Sequence, residues 1–248
     1  MAVITACTYT LNNAAVLEDC LKSLRWADEV MVLDSGSTDA TVEIGKRFAD
    51  RVEHRAWTGF RDQLEHVGRI AKGDWVLVVD ADERVTEALA REVRQAVGSG
   101  TPHDAFEIPR RTRYLGRWLA HGEFVPDYTG RLYRRGKERY VGEPHARLVV
   151  DGTTGRLREP ILHLGYPDLS AQVNTTTRYS RAAAREALDV GRSATLPGAL
   201  GHGVSRWGKG YIAKRGFLDG VPGWVNAVTS GWAAFVKHAW VWESRRRR

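Results

Sequence analysis

Between Ala2 and Val97 the chain alternates short runs of β-forming apolar residues with longer stretches of helical spacing, and this restricts the fold more than any single motif. Ala2-Val-Ile-Thr-Ala-Cys-Thr8 reads as a first strand. From Ala15 to Leu24, apolar residues at 16, 17, 20, 21 and 24 recur at helical spacing. Glu29–Leu33 is a second strand. The loop Asp34-Ser-Gly-Ser-Thr-Asp39 then offers capping residues for a helix through Val42, Ile44 and Phe48. Val52 sits in a short third strand, and the pattern predicts a helix around Phe60–Ile70, a fourth strand from Trp75, and a helix over Glu87–Val97. Such alternation argues for parallel βαβ units with right-handed crossovers. The loops after strands one, two and four, Thr8 to Asn13, Asp34 to Asp39 and Asp80 to Glu83, then gather on one edge around a nucleotide-sized cleft.

The fourth strand ends in Asp80-Ala-Asp82-Glu83 after the apolar run Trp75-Val-Leu-Val-Val. Two carboxylates at the carboxyl end of a strand lie where open α/β sheets bind their ligands. Hard cations such as Mg²⁺ are commonly held by one or two carboxylates plus substrate phosphates. The motif points to a metal-dependent enzyme acting on a phosphorylated, nucleotide-linked substrate. Its plainer reading is a strand-end turn or a helix cap.

A chain of 248 residues can build a full hydrophobic core, as one large α/β domain or as one domain with an appendage. Cys7 and Cys20 fall in a strand and a helix, so they read as small apolar fillers and suggest a reducing, intracellular setting. The opening Met1-Ala2-Val3-Ile4 has no leader pattern. Past residue 100 the pattern becomes irregular, with strand candidates at Ala105–Ile108, Arg131–Tyr133 and Leu148–Val150, a hairpin signal at Asp151-Gly152 and a helix over Asn174–Leu188. The expected division is a nucleotide-binding half over 1–100, an acceptor-side half over 101–170 and a helical extension over 171–248.

The formal net charge of +7 arises in residues 206–248, which hold nine Lys or Arg against two acids; the preceding residues are neutral. Five of the nine tryptophans lie there as well. Pro222 suggests a helix start, and Val225, Val228, Trp232, Phe235, Val236, Ala239 and Trp242 follow helical spacing. Lys237, His238, Gly223 and Gly231 interrupt the run, which fits an interfacial amphipathic helix on an anionic membrane better than a spanning one. Packing on the catalytic domain, dimerisation or a solvated end are the competing readings. A neutral body argues against nucleic acid as a partner.

A further set of segments occurs in a consistent order: Thr10-Leu-Asn12, Trp26-Ala-Asp-Glu29, Leu33-Asp-Ser-Gly-Ser-Thr-Asp39, Gly73-Asp-Trp75, Asp80-Ala-Asp-Glu-Arg-Val85, Leu115-Gly-Arg-Trp118, Pro126-Asp-Tyr128, Arg131-Leu-Tyr-Arg-Arg-Gly136, Asp151-Gly152, and His163 with Tyr166. Together they resemble the family 2 glycosyltransferases, in the branch of lipopolysaccharide-core β-1,4-glucosyltransferase-like proteins. The resemblance implies an α/β GT-A fold, a Rossmann-like mixed sheet flanked by helices, here with a C-terminal helical extension. It implies inverting transfer from a nucleotide sugar, a UDP-hexose, with Mg²⁺ or Mn²⁺, to a saccharide or lipid-linked acceptor at the cytoplasmic face of the plasma membrane.

On this resemblance Asp82 is the direct metal ligand, and Asp80 lies nearer the ribose or reaches the metal through water. His163 is an additional ligand, or else a core histidine bonded to a backbone carbonyl. Thr8, Asn12 and Asp34 belong to the donor side, Asp34 toward the nucleobase unless it merely caps the following helix. Arg131 and Arg134 either neutralise diphosphate or form structural ion pairs. Gln63-Leu64-Glu65 and Pro144-His145-Ala146 depart from the branch's usual Gln-Lys/Arg-Asn and Val-His-Glu. The second departure removes the expected base and leaves Asp127, which is favoured, or Glu143. Two other functions compete: a GT-A-fold scaffold without turnover, and a nucleotidyltransferase. The latter would want a Gly-rich basic loop after the first strand, where this chain has Thr8-Tyr-Thr-Leu-Asn-Asn-Ala.

Overall fold

Alternate residues of the first strands point to opposite faces of a sheet, and each face is apolar, so helices must cover both. A computed structural model has this arrangement. It describes every residue except Met1, Ser99, Pro126, 143–145, Pro167 and 247–248. The chain divides into two compact units, one of Met1–Arg110 with Asp127–His163, the other of Arg111–Pro126 with Leu164–Arg248.

The first unit begins with β1 (Ile4–Thr10), α1 (Ala14–Ser23), β2 (Glu29–Asp34), α2 (Thr41–Phe48), β3 (Arg51–His54), α3 (Phe60–Ile70) and β4 (Trp75–Val78). A two-residue β5 (Glu83–Arg84) and α4 (Glu87–Ala96) follow, with Thr86 Oγ1 accepting from Leu89 N at 3.1 Å as the N-cap. β6 (Ala105–Tyr114) starts in this unit and ends in the other, which also holds β7 (Arg117–Trp118). Then come β8 (Tyr128–Arg134), β9 (Glu138–Val141), β10 (Arg147–Val150), β11 (Thr154–Arg156) and β12 (Ile161–His163).

The main sheet runs β3-β2-β1-β4-β8-β6-β12-β5. Its first four strands are mutually parallel, and β8 joins β4 antiparallel with Leu77 opposite Leu132. Ile4, Ala6, Val30 and Val32 pack on one face with Leu17 and Leu21 of α1 and Leu89 and Val93 of α4. Cys7, Met31, Leu33, Val76 and Val78 pack on the other with Leu64 and Val67 of α3 and with Tyr133 and Tyr140. Both cysteines are buried and free, and burial pushes both thiols well above their ordinary range, as expected of inert fillers.

Two expectations change. Asp151-Gly152 does not turn a hairpin: β10 pairs with β9, whereas β11 runs parallel to β6, so the turn hands the chain from one sheet to another. Leu64 is a core residue, 6 % exposed, in the cluster under the sheet; its neighbour Gln63 donates to the carbonyls of Arg55 and Ala56 at 3.2 and 2.9 Å.

The second unit is helical. Asp168 caps α5 (Leu169–Asp189) by accepting from Ala171 N at 2.7 Å, and Thr195 caps α6 (Leu196–Gly208) by accepting from Gly198 N at 3.1 Å. A π-helical turn (Lys209–Ala213) and a 3₁₀ turn (Gly216–Asp219) lead into α7, Gly220–Arg246, which starts two residues before Pro222. α6 and α7 approach closely at Gly203 and Gly231: a Cβ on either would lie 3.0 Å or less from the carbonyl oxygen of the other. No helix among the described residues is long and apolar enough to cross a membrane.

The position of Leu64 generates a test. Leu64→Ala is expected to cost about 2–5 kcal/mol, read by urea denaturation, while leaving nucleotide affinity unchanged in the folded protein.

Candidate active site

Asp80 leaves the sheet just after β4, and the chain turns at once: Glu83 N donates to the Asp80 carbonyl at 2.8 Å, and Glu83 Oε2 accepts from Asp80 N at 2.9 Å. The Glu83 side chain therefore closes the turn that carries the Asp-Ala-Asp motif. Glu83 is fully buried, and Arg131 on β8 reaches it with Nη2 at 2.9 Å. The same guanidinium grips Asp80 with both terminal nitrogens, Nη1 at 3.1 Å from Oδ1 and Nη2 on Oδ2. Antiparallel pairing of β8 with β4 accounts for this, since it sets Leu132 opposite Leu77 and brings Arg131 to the end of β4.

The pairing continues outward. Arg110 on β6 lies 3.8 Å from Glu83 Oε1 and holds Asp127 Oδ2 with Nε at 2.8 Å and Nη2 at 2.6 Å. Asp80, Arg131, Glu83, Arg110 and Asp127 thus form a ladder of alternating charge, and the Tyr9 hydroxyl donates to Asp80 at its inner end. Burial pushes the Glu83 carboxyl up to about 7, with Asp80 adding to the rise and Arg131 opposing it. Burial acts on Asp80 as well, but the Arg131 charge and the hydrogen bonds from Arg131 and Tyr9 outweigh it and hold that carboxyl at about 2. Two neighbouring acids are thereby driven apart in their titration.

Asp82 points elsewhere. Its side chain is 40 % exposed, and its Oδ2 lies 3.4 Å from His163 Nε2. Pairing of β12 with β5, which places His163 opposite Glu83, brings this histidine to the motif. A carboxylate and an imidazole side by side, with Asp80 already engaged, suit a divalent cation that takes its remaining ligands from diphosphate and water. Among the described residues no cluster of three His, Cys, Asp or Glu is arranged to enclose a metal.

The donor-side residues divide into two groups. Thr8 on β1 and Asp34 at the end of β2 are buried, and Thr8 Oγ1 and Asp34 Oδ1 have no hydrogen-bond partner. The other carboxylate oxygen of Asp34 accepts from Gly36 N and Ser37 N at 2.9 and 3.0 Å, so it shapes the loop and leaves one oxygen to offer. Asn12 adopts a left-handed backbone (φ 55°) and accepts from Thr38 N at 2.8 Å, which ties the first loop to the second. Arg134, three residues beyond Arg131, pairs with Asp104 at 3.2 Å and covers the Trp75 ring at 4.9 Å, apart from the ladder. Ala146 packs against the second apolar cluster, and Glu143 lies outside the described residues. Tyr9 and Arg110 were not singled out in the sequence, and Glu83 was quoted in the motif without a role; the contacts of Glu83 with Arg131 and Arg110 depend on strand pairings that no local pattern announces.

A Rossmann-like mixed sheet, with acids at the carboxyl ends of β2 and β4 and a separate C-terminal helical unit, is the GT-A type of α/β fold. Residues 5–161 match the glycosyl transferase family 2 profile, and the chain belongs to that family. Over 97% of its length it is 24% identical to the lipopolysaccharide core biosynthesis glycosyltransferase LpsC of Rhizobium meliloti (strain 1021), covering 92% of that protein. It is 36% identical to a PGL/p-HBAD biosynthesis glycosyltransferase of Mycobacterium bovis (strain BCG / Pasteur 1173P2), over 57% of this chain and 62% of that one. Among solved structures, glucosyl-3-phosphoglycerate synthase from Mycobacterium tuberculosis in complex with Mn²⁺, UDP and glucosyl-3-phosphoglycerate aligns with 46% of this chain and 45% of its own, at 23% identity and a TM-score of 0.38. The chain is a glycosyltransferase.

Two outcomes follow from the ladder. Arg131→Met leaves the buried Glu83 and the partly exposed Asp80 without their counter-charge and is expected to cost about 3 kcal/mol of stability, measured by urea unfolding. Glu83 binds its proton more tightly when folded than when unfolded, so its contribution to stability is greatest below about 4.5 and declines as pH rises toward 7. With EDTA present, the unfolding midpoint of Glu83→Gln should therefore fall less than that of wild type across this window.

Proposed function

We propose that the chain transfers a hexose with inversion from a UDP-linked donor to a saccharide or lipid-linked acceptor of the cell envelope. The observation that carries this reading is the separation of roles at the end of β4, where Arg131 holds Asp80 while Asp82 stays beside His163 with its carboxylate half exposed. Asp82 and His163 would hold Mg²⁺ or Mn²⁺, which supplies positive charge to the departing diphosphate. Asp34, through its unpartnered oxygen, and Thr8 would receive the nucleoside.

The acceptor hydroxyl attacks the anomeric carbon on the face opposite the diphosphate. The new carbon–oxygen bond forms as the bond to the diphosphate oxygen breaks, and the hydroxyl proton passes to a carboxylate. Asp127 is the favoured candidate base. Arg110 fixes its orientation through Oδ2. Glu143 is the other candidate.

The R. meliloti relative acts in lipopolysaccharide core biosynthesis, which supports an acceptor of that class. Such an acceptor suits a protein peripheral to the inner face of the plasma membrane, with its C-terminal extension on the anionic surface. The burial of Leu64 weakens the scaffold reading, because one of the departures that suggested it is a core substitution.

Calorimetry with UDP-glucose and a panel of other nucleotide sugars, with and without Mn²⁺, tests the proposal. Binding of one UDP-sugar that requires the cation and is lost in Asp82→Asn supports it; metal-independent binding, or none, contradicts it. In transfer assays Asp127→Asn should lower kcat by about 10²–10⁴ with donor affinity unchanged. Full turnover in that variant would pass the role to Glu143.

A further inference from the structure

We infer that the C-terminal unit carries a membrane-docking face formed by α6, the two turns after it and the first half of α7, and that its ligand is an anionic lipid surface. This deepens the peripheral reading above and rests on it, but it locates the contact away from the arginine-rich end of α7.

The packing of these helices is inverted relative to a helix in water. α7 buries Gly223, Asn226, Ala227 and Gly231 and exposes Val221 at 72 %, Trp224 at 45 %, Val228 at 42 % and Trp232 at 38 %. α6 buries Ala199 and Gly203 and exposes Leu200 at 60 % and Val204 at 58 %. A helix on a water-soluble domain turns its large apolar residues inward. Small residues between helices, with large apolar ones outside, characterise helices whose surroundings are themselves apolar.

The two exposed rows are joined. Trp207 meets Trp224 at 5.8 Å between ring centroids, and Tyr211 meets both Trp224 at 5.0 Å and Phe217 at 6.1 Å. Ile212, Phe217 and Leu218 project from the connecting turns. A contiguous apolar surface of this kind marks an interaction site, and Trp and Tyr beside cations are suited to the headgroup level of a bilayer.

Charge selects the occupant. From Val190 to Trp242 the only acid is Asp219. It is buried and accepts from the backbone N–H groups of Ala120 and His121, at 3.1 and 2.8 Å. Lys209, Lys214 and Arg215 lie in the same turns as the apolar residues, with no exposed acid among them. A second copy of the chain would bring the same cations together, whereas an anionic leaflet complements them. The far end of α7 is engaged within its own unit: Trp240 and Val241 pack with Ala184 and Ala187 of α5, Arg245 donates to the Gly191 carbonyl and Arg246 covers the Trp242 ring at 5.1 Å.

Flotation of the full chain with phosphatidylcholine vesicles, with and without phosphatidylglycerol, tests the inference; Mn²⁺-dependent UDP binding is measured on the same proteins. Wild type should float with the anionic vesicles, less so at high salt. Combined Leu200→Gln, Phe217→Gln and Val228→Gln should abolish flotation. Lys209→Gln with Arg215→Gln should weaken it by about fivefold per cation, and Arg245→Gln with Arg246→Gln should leave it unchanged. All seven positions are remote in sequence from the nucleotide site, so UDP binding should persist throughout. Retained flotation of the apolar triple variant, loss only in the Arg245/Arg246 variant, or a wild-type dimer that does not float would overturn the inference. Failure of flotation with UDP binding intact rejects the docking face alone, and flotation without UDP binding rejects the donor reading alone.

Discussion

Arg131 stands between Asp80 and Glu83, and the chemistry available at the end of β4 depends on that bridge. Three carboxylates and two guanidiniums lie in series there. Without the arginines, the acids would repel one another in a setting where burial already disfavours charge. With them, Asp80 stays ionised and fixed, Glu83 closes the turn from beneath, and Asp82 is directed outward to His163. The mixed character of the sheet is therefore functional. Parallel strands bring the loop acids to one edge, and the antiparallel β8 carries the compensating cation to them.

The first half of the fold was legible because its signals are local. Apolar residues at alternating or helical spacing lie in β1 to β4 and α1 to α4, and the resulting elements end within a few residues of the expected positions. Past residue 100 the pairings are non-local. β6 extends through Pro109-Arg-Arg-Thr-Arg113, where no apolar period marks a strand, and β12 finds β5 across almost eighty residues of chain. α6 was hidden by its composition: Gly198, Gly201, Gly203 and Gly208 all lower helix propensity, and Gly203 is needed for the close approach to α7.

The site was legible in the same proportion. Asp80 and Asp82 were visible as a motif, and the family resemblance assigned the direct metal contact to Asp82; the engagement of Asp80 by Arg131 was not visible, because it depends on a strand that pairs in the opposite sense. Arg131 was expected either to neutralise diphosphate or to form a structural ion pair, and in the structure its charge is engaged by two protein carboxylates. Arg134 had the same sequence credentials, yet it pairs with Asp104. Leu64 looked like a loss from the donor cleft and is core. In each case the residue type was readable, while its orientation was set by a partner distant in sequence.

The central claim is that the Arg131 clamp reserves Asp82, with His163, for the cation. Anomalous diffraction from crystals grown with UDP and Mn²⁺ tests this most directly. A manganese peak within bonding distance of Asp82 and His163, with Arg131 still on Asp80, is the predicted result. A peak bonded to Asp80 with Arg131 displaced, or one that touches neither Asp82 nor His163, would contradict the account.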